Sequence, residues 1–207
     1  MQTRTRREAG RELPVLLWRF GATVRAIASA PHGGGLGPRR WVVNAQVPAS
    51  YARRDSDHHL KQLGVSMGLA GRGVGMLTAA EVSCFATHVD HDVEVVATVG
   101  LGHPVLAAAP DDGSPASLVG TINIVVLLPA RLSDAALVNA VATTTEAKVQ
   151  AVRDLGHNAT GTATDAVCLV CPHEGPAVHF GGPRSPWGSR LARAVYGAVL
   201  AGAGGSR

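Results

Sequence analysis

Two charges in this sequence sit where apolar neighbours leave them in need of partners. Asp165 precedes the apolar run 166–170 and shares a strand face with Val167 and Leu169. A carboxylate buried there alone is costly, so it calls for a cation or several N–H donors. Lys148 lies in a long helical stretch, where about 100° of rotation per residue puts it between Leu137 and Val141 on the core-facing arc. Glu146 falls about 160° away from it, so the two cannot pair across one helix face. Lys148 must therefore reach an acceptor elsewhere or extend its stem to water. Asp165 is the natural acceptor, and the two are expected in one pocket with Thr121 and Asn123.

Thr121 and Asn123 are the polar side chains of an otherwise apolar strand, two apart and so on one face with Val125 and Leu127. Buried there, they need partners and are either structural or functional. The segment 160–166, TGTATDA, adds Thr160, Thr162 and Thr164 beside Asp165, at the mouth of the next strand. Hydroxyls next to a carboxylate suit a binding or reacting edge, though a polar loop feeding a strand reads the same way.

Familiar catalytic signatures are missing. There is no G-x-S-x-G elbow and no H-E-x-x-H zinc motif. Cys84 has no assignable histidine partner. Cys168 and Cys171 have the spacing of a metal or redox pair, but on a strand they point to opposite faces and act as small apolar residues. His88, Asp90, His91 and Asp92 are ordinary company for a hairpin tip. GRGVG at 71–75 is neither a dinucleotide fingerprint nor a Walker loop. No metal site is expected.

The elements that must position these residues read as follows. Strands are expected at 14–20, 23–28 and 40–47, around a glycine-rich turn at 29–38. A helix at 57–69, capped from Asp55, Ser56 or Asp57, precedes a strand at 74–78. Strands at 82–89 and 93–101 form a hairpin, PDDGSP at 110–115 is a surface loop, and a strand spans 121–128. The helix 133–155 is capped by Ser133 and ended by Gly156, with Leu137, Val138, Val141, Val149, Val152 and Leu155 as its apolar stripe. A strand at 166–171 and a helix at 189–201 close the chain. Adjacent strands followed by late helices predict an α+β fold, a single layered domain with a mixed, largely antiparallel sheet packed against a few helices.

Composition bounds the rest. In 207 residues, 46% apolar and 16% charged, there is enough core for one globular domain. Residues 1–12 are expected as a basic flexible arm, 13–201 as the domain and 202–207 as a flexible glycine-rich tail. Much of the net charge of +4 comes from Arg4, Arg6, Arg7 and Arg11, so no nucleic-acid groove is implied. No run reaches the about 18 apolar residues of a membrane helix, and Pro14 and Arg19 interrupt any leader-like stretch. A cytoplasmic protein is expected, and oligomeric state leaves no mark.

The motifs, taken in order, resemble the adenosylcobinamide amidohydrolase family of corrinoid salvage. They are Asn44 with Val47 and Tyr51, GMLTAA at 75–80, ATVGLGHP at 97–104, GTINI at 120–124, TTTEAKVQAVRDLG at 143–156 and TGTATDA at 160–166. A small-residue segment with Gly188 follows. The resemblance covers about three-quarters of the chain, and Cys168-x-x-Cys171 is not part of it. It implies hydrolysis of the amide joining the corrin propionate arm to aminopropanol, giving adenosylcobyric acid. It also implies a corrinoid substrate that brings its own cobalt, and no protein cofactor. Amide hydrolysis needs an activated water or nucleophile, oxyanion donors and a proton for the leaving amine. Asp165 is then the expected base, or the group orienting one, with Glu146 its competitor. Lys148 would stabilise the oxyanion or protonate the amine. Asn44, Thr78, Thr121, Asn123, Thr160 and Thr162 would bind substrate, one threonine being a candidate nucleophile. A non-hydrolytic corrinoid-binding module is the alternative.

Overall fold

The computed structural model describes residues 1–8, 10–110 and 120–204. In chain order the elements are β1 (Gln2–Glu8), β2 (Arg11–Ala28), β3 (Gly35–Gln46), α1 (Ser56–Ser66), β4 (Gly73–Thr78), a 3₁₀ turn (Val82–Cys84), β5 (Ala86–Asp90), β6 (Val93–Gly100), β7 (Thr121–Leu127), α2 (Asp134–Asp154), β8 (Ala166–Pro172) and α3 (Pro186–Gly204). None of these helices is long and apolar enough to cross a membrane.

All eight strands join one mixed sheet in the order β4-β3-β2-β8-β7-β6-β5, with β1 also paired to β2. Among the strand pairs of the described residues, β3–β4 and β7–β8 are parallel and the others antiparallel. The chain is therefore α+β with a mostly antiparallel sheet, as expected. Strand β2 is its hinge. Residues 11–17 pair with β1, and residues 24–28 pair with β8. Its register against β3 shifts between Arg19 and Val24, so one bent strand replaces the two short ones anticipated around Gly21.

Alternation along the strands sorts the core into three layers. Leu16 and Trp18 of β2, Val42 of β3 and Met76 of β4 pack with Val96 of β6, Val125 of β7 and Cys168 of β8. The two halves of the sheet thus fold face to face. Val15, Leu17, Trp41 and Val43 point the other way, onto Leu60 and Leu63 of α1. Ile122, Ile124, Val167 and Leu169 pack beneath α2 and α3. The architecture is helix, sheet, sheet, helix.

Helix α2 is held at its start by Ser133 Oγ, which accepts from Ala136 N at 3.2 Å, and Gly156 follows its end at φ 89°. Its buried face differs from the large-residue stripe. It runs through Ala136, Leu137, Ala140, Thr143, Thr144, Ala147, Lys148, Ala151 and Val152, whereas Val138 is 61% exposed. Small residues let neighbouring backbone come close: a Cβ on Gly181 would stand 2.3 Å from Ala136 O. Thr143 and Thr144 are tolerated there because their hydroxyls donate to Asn139 O and Ala140 O, one turn back.

The first twelve residues are not a free arm. Gln2–Glu8 is strand β1, paired with β2 from Gln2↔Leu17 to Glu8↔Arg11. Its arginines suit an edge strand, where charge blocks further pairing, and its polarity on both faces hid it. Arg6 anchors it by donating to Gln46 O at 2.8 Å. Likewise α3 continues to Gly204, so residues 202–204 are helix, and 205–207 lie outside the described residues. The start of the expected strand at 82–89 is the 3₁₀ turn, and β3 begins inside the expected turn at 29–38. Beyond Pro110, the PDDGSP loop lies outside the described residues.

Candidate functional site

A cavity of about 300 Å³ opens where the C-terminal ends of β3 and β4 meet the starts of β7 and β8. Val47, Pro48, Leu77 and Ala166 supply its apolar wall; Thr78, Thr121 and Thr164 supply hydroxyls, and Tyr51, Arg53 and Ser56 close it from the approach to α1. Thr121 Oγ1 and Thr164 Oγ1 are 2.7 Å apart, and Thr164 also donates to Gly120 O at 2.9 Å. Thr78 Oγ1 accepts from Ala80 N at 3.0 Å, which leaves its own hydrogen free to turn to a ligand.

Under the hydroxyls runs a buried amide chain tying the two sheet halves together. Asn123 Nδ2 on β7 donates to Asn44 Oδ1 on β3 at 2.8 Å and to Leu77 O on β4 at 2.9 Å. Asn44 Nδ2 donates in turn to Thr98 Oγ1 on β6 at 3.0 Å. Asn123 Oδ1 is buried with no hydrogen-bond partner among the described residues.

Lys148 and Asp165 do meet. Lys148 Nζ donates to Asp165 Oδ2 at 2.5 Å, and both side chains are nearly buried. Asp165 Oδ2 also accepts from Thr162 N at 3.1 Å; Oδ1 accepts from Ile122 N at 2.9 Å and Thr162 Oγ1 at 2.5 Å. Four donors fill the roughly four lone-pair sites of a carboxylate. Asp165 therefore locks the 160–165 turn onto the start of β7 and onto α2.

This lock faces the helices, and Thr121 and Asn123 face the opposite side of β7. The shared pocket expected for all four residues is not formed. Alternation is the reason: Asp165 points with Val167, while Ala166 points into the cavity. Thr162 belongs to the lock, its single hydroxyl hydrogen lying between Asp165 Oδ1 and Gly120 O, the latter 2.8 Å away. Thr160 Oγ1 stitches the same turn to the loop after β6, donating to Val105 O and accepting from Ala107 N. Glu146 is exposed on α2, in a separate cleft with His88, Asp90, Arg193 and Tyr196. Of the expected residues, Thr78 and Thr121 line the cavity, Asn44 and Asn123 support its floor, and Lys148, Asp165 and Thr162 brace it from behind.

Sequence reasoning assigned no part in the site to Tyr51, Arg53 or Ser56, and held Thr164 only as one hydroxyl of the 160–166 edge. Tyr51 was within reach, since it accompanies Asn44 and Val47 in the first motif. Its ring stacks on His59 of α1 with centroids 5.6 Å apart, and its hydroxyl lies 2.9 Å from His59 Nδ1. Burial raises the Tyr51 pKa above its usual value, keeping the phenol protonated. Arg53 holds Asp55 in a two-pronged pair at 2.9 and 2.7 Å, and this hydrogen bonding lowers the Asp55 pKa to about 2. Among the described residues no group of three His, Cys, Asp or Glu side chains is placed to hold a metal ion. Cys168 and Cys171 point to opposite faces of β8, as their spacing predicts.

Fold and cavity together define an α+β protein with a small hydroxyl-lined pocket at the junction of two β layers. The chain belongs to the adenosylcobinamide amidohydrolase family, whose pattern matches residues 1–206. It is 28% identical over 178 residues to the adenosylcobinamide amidohydrolase of Methanosarcina mazei, spanning 82% of this chain and 85% of that one. It is 35% identical over 114 residues to the enzyme of the same name from Halobacterium salinarum, spanning 53% and 49%. An uncharacterised protein of Methanocaldococcus jannaschii is 34% identical over 94 residues, 42% of this chain and 36% of the other.

Proposed function

We propose that this protein hydrolyses the amide between the corrin propionate arm and aminopropanol in adenosylcobinamide, releasing adenosylcobyric acid. The observation that carries this reading is the family match over residues 1–206. The cavity suits it. About 300 Å³ is far too small for a corrin macrocycle but ample for a short amide arm, so the ring would rest outside and only the arm would enter. Cobalt is then part of the substrate, and no resident metal is invoked.

In this reading Thr78, Thr121 and Thr164 hydrogen-bond the arm, and Asn123 with Asn44 fixes the strand ends carrying them. Lys148, Asp165 and Thr162 hold the 160–165 turn in place, with Asp165 positioning rather than abstracting a proton. Glu146 takes no part in the chemistry. The test is incubation of the purified protein with adenosylcobinamide and chromatography of the products. Adenosylcobyric acid and free aminopropanol are expected; binding, seen as a visible-absorbance change without cleavage, would instead mark a non-hydrolytic corrinoid-binding module.

A further inference from the structure

Behind Tyr51 stands a chain of titratable groups drawn from three separate segments. Tyr51 comes from the loop before α1, His59 from α1 itself and Glu8 from β1. Tyr51 Oη is 2.9 Å from His59 Nδ1, and His59 Nε2 is 3.2 Å from Glu8 Oε1. His59 is only 6% exposed, whereas Tyr51 reaches the cavity wall. Glu8 is in turn fixed by Arg6, whose Nη2 donates to Glu8 Oε2 at 2.5 Å. A carboxylate beside Nε2 favours the tautomer protonated there, so Nδ1 carries the lone pair and accepts from the Tyr51 hydroxyl. This is the order of a nucleophile–base–orienter triad, with a phenol where a serine would stand.

We propose that Tyr51, His59 and Glu8 form the proton shuttle of the amide hydrolysis, with Tyr51 the catalytic residue at the cavity and His59 and Glu8 positioning residues behind it. This rests on the functional reading above. As water attacks the amide carbonyl carbon, its proton passes to Tyr51 Oη while the phenolic proton moves to His59 Nδ1. The C–N bond then breaks, its electron pair staying on nitrogen. The nitrogen takes a proton from Tyr51, which recovers its own from His59. The sum is amide plus water giving acid plus amine, and the shuttle ends as it began. Asp165, with four donors already in place, is poorly placed to do this.

The chain also explains why a strand of seven residues at the N-terminus belongs to the working protein: β1 brings Glu8 to His59. The charged groups acting on Tyr51 are Arg53 and Asp55 from its own loop and Glu8 and Arg6 from β1.

The experiment compares kcat and KM of wild type, Tyr51→Phe, Glu8→Gln and Glu8→Asp for adenosylcobinamide turnover, with thermal melting of each. Tyr51→Phe, which removes one oxygen, should melt near wild type and lose at least about 100-fold in kcat, with KM changed less than about threefold. Glu8→Gln removes the carboxylate that orients His59, so kcat should fall at least about tenfold with KM little changed, and Glu8→Asp should restore part of the rate. A folded Tyr51→Phe with kcat within threefold of wild type, or a folded Glu8→Gln with unchanged kcat, overturns the shuttle. A wild-type protein that releases no amine sinks the functional reading and the shuttle with it.

Discussion

Lys148 Nζ meets Asp165 Oδ2 at 2.5 Å, joining the buried face of α2 to the turn that leads into β8. Glu146 points away from Lys148 on the same helix, so the turn supplies the acceptor. Its consequence is structural. Removing one member of a buried pair strands the other, at about 3–5 kcal/mol. Lys148→Met and Asp165→Asn should each lower the urea midpoint accordingly, and the double variant should cost less than their sum. An Asp165→Asn protein of native stability but with kcat lost by orders of magnitude would instead make Asp165 the base.

Gly161 is what lets that pair close. A Cβ at this position would stand 2.1 Å from Asp165 Oδ2 and 2.5 Å from Lys148 Nζ. Gly161→Ala is therefore expected to destabilise about as much as breaking the pair, on the order of 3 kcal/mol, although it adds a single methyl group. Thermal melting checks this, and a shift under about 1 °C would show that the turn relaxes freely.

Strand and helix positions were largely legible because alternation and capping are local signals. Ser133 and Gly156 bracket α2 as their chemistry requires. The division of the site between two faces of β7 was also written in the sequence, in the one-residue step from Asp165 to Ala166. It went unused because threonines and charges clustered in one motif suggest one pocket. Tyr51, His59 and Glu8 are spread over 52 positions with no motif linking them, and only the folding of β1 and α1 around the loop joins them. The buried face of α2 was misjudged for a different reason. Large aliphatics mark a core stripe only where neighbours stand off, and here α2 packs through alanine and threonine.

The three cysteines should separate cleanly by reactivity. Cys84 is exposed, whereas Cys168 and Cys171 are buried. Burial raises the Cys168 pKa to about 12 and also raises that of Cys171, so neither offers thiolate at neutral pH. Titration with a thiol reagent at pH 7.5 should report one fast group in the native protein and three after unfolding. Two fast groups would mean that β8 opens far more readily than its packing implies.

Asp90 at the end of β5 ties the hairpin to α3. Arg193 Nε and Nη2 donate to its two oxygens at 2.5 and 3.0 Å, and His91 Nδ1 lies 2.9 Å from Oδ1. The Arg193 hydrogen bond leads in lowering the Asp90 pKa from 3.8 to about 2. A depressed carboxylate favours the folded state above its unfolded pKa and loses that contribution as pH falls through the folded value. The stabilisation is thus complete above about pH 5, declines between about pH 4 and 2 and is gone below. Arg193 is 56% exposed, so solvent screening keeps the effect small. Asp90→Asn should melt below wild type at pH 7, by a margin that shrinks on acidification to pH 2.5 and in high salt. A margin constant with pH would assign the loss to the side chain's packing and hairpin geometry instead of its charge.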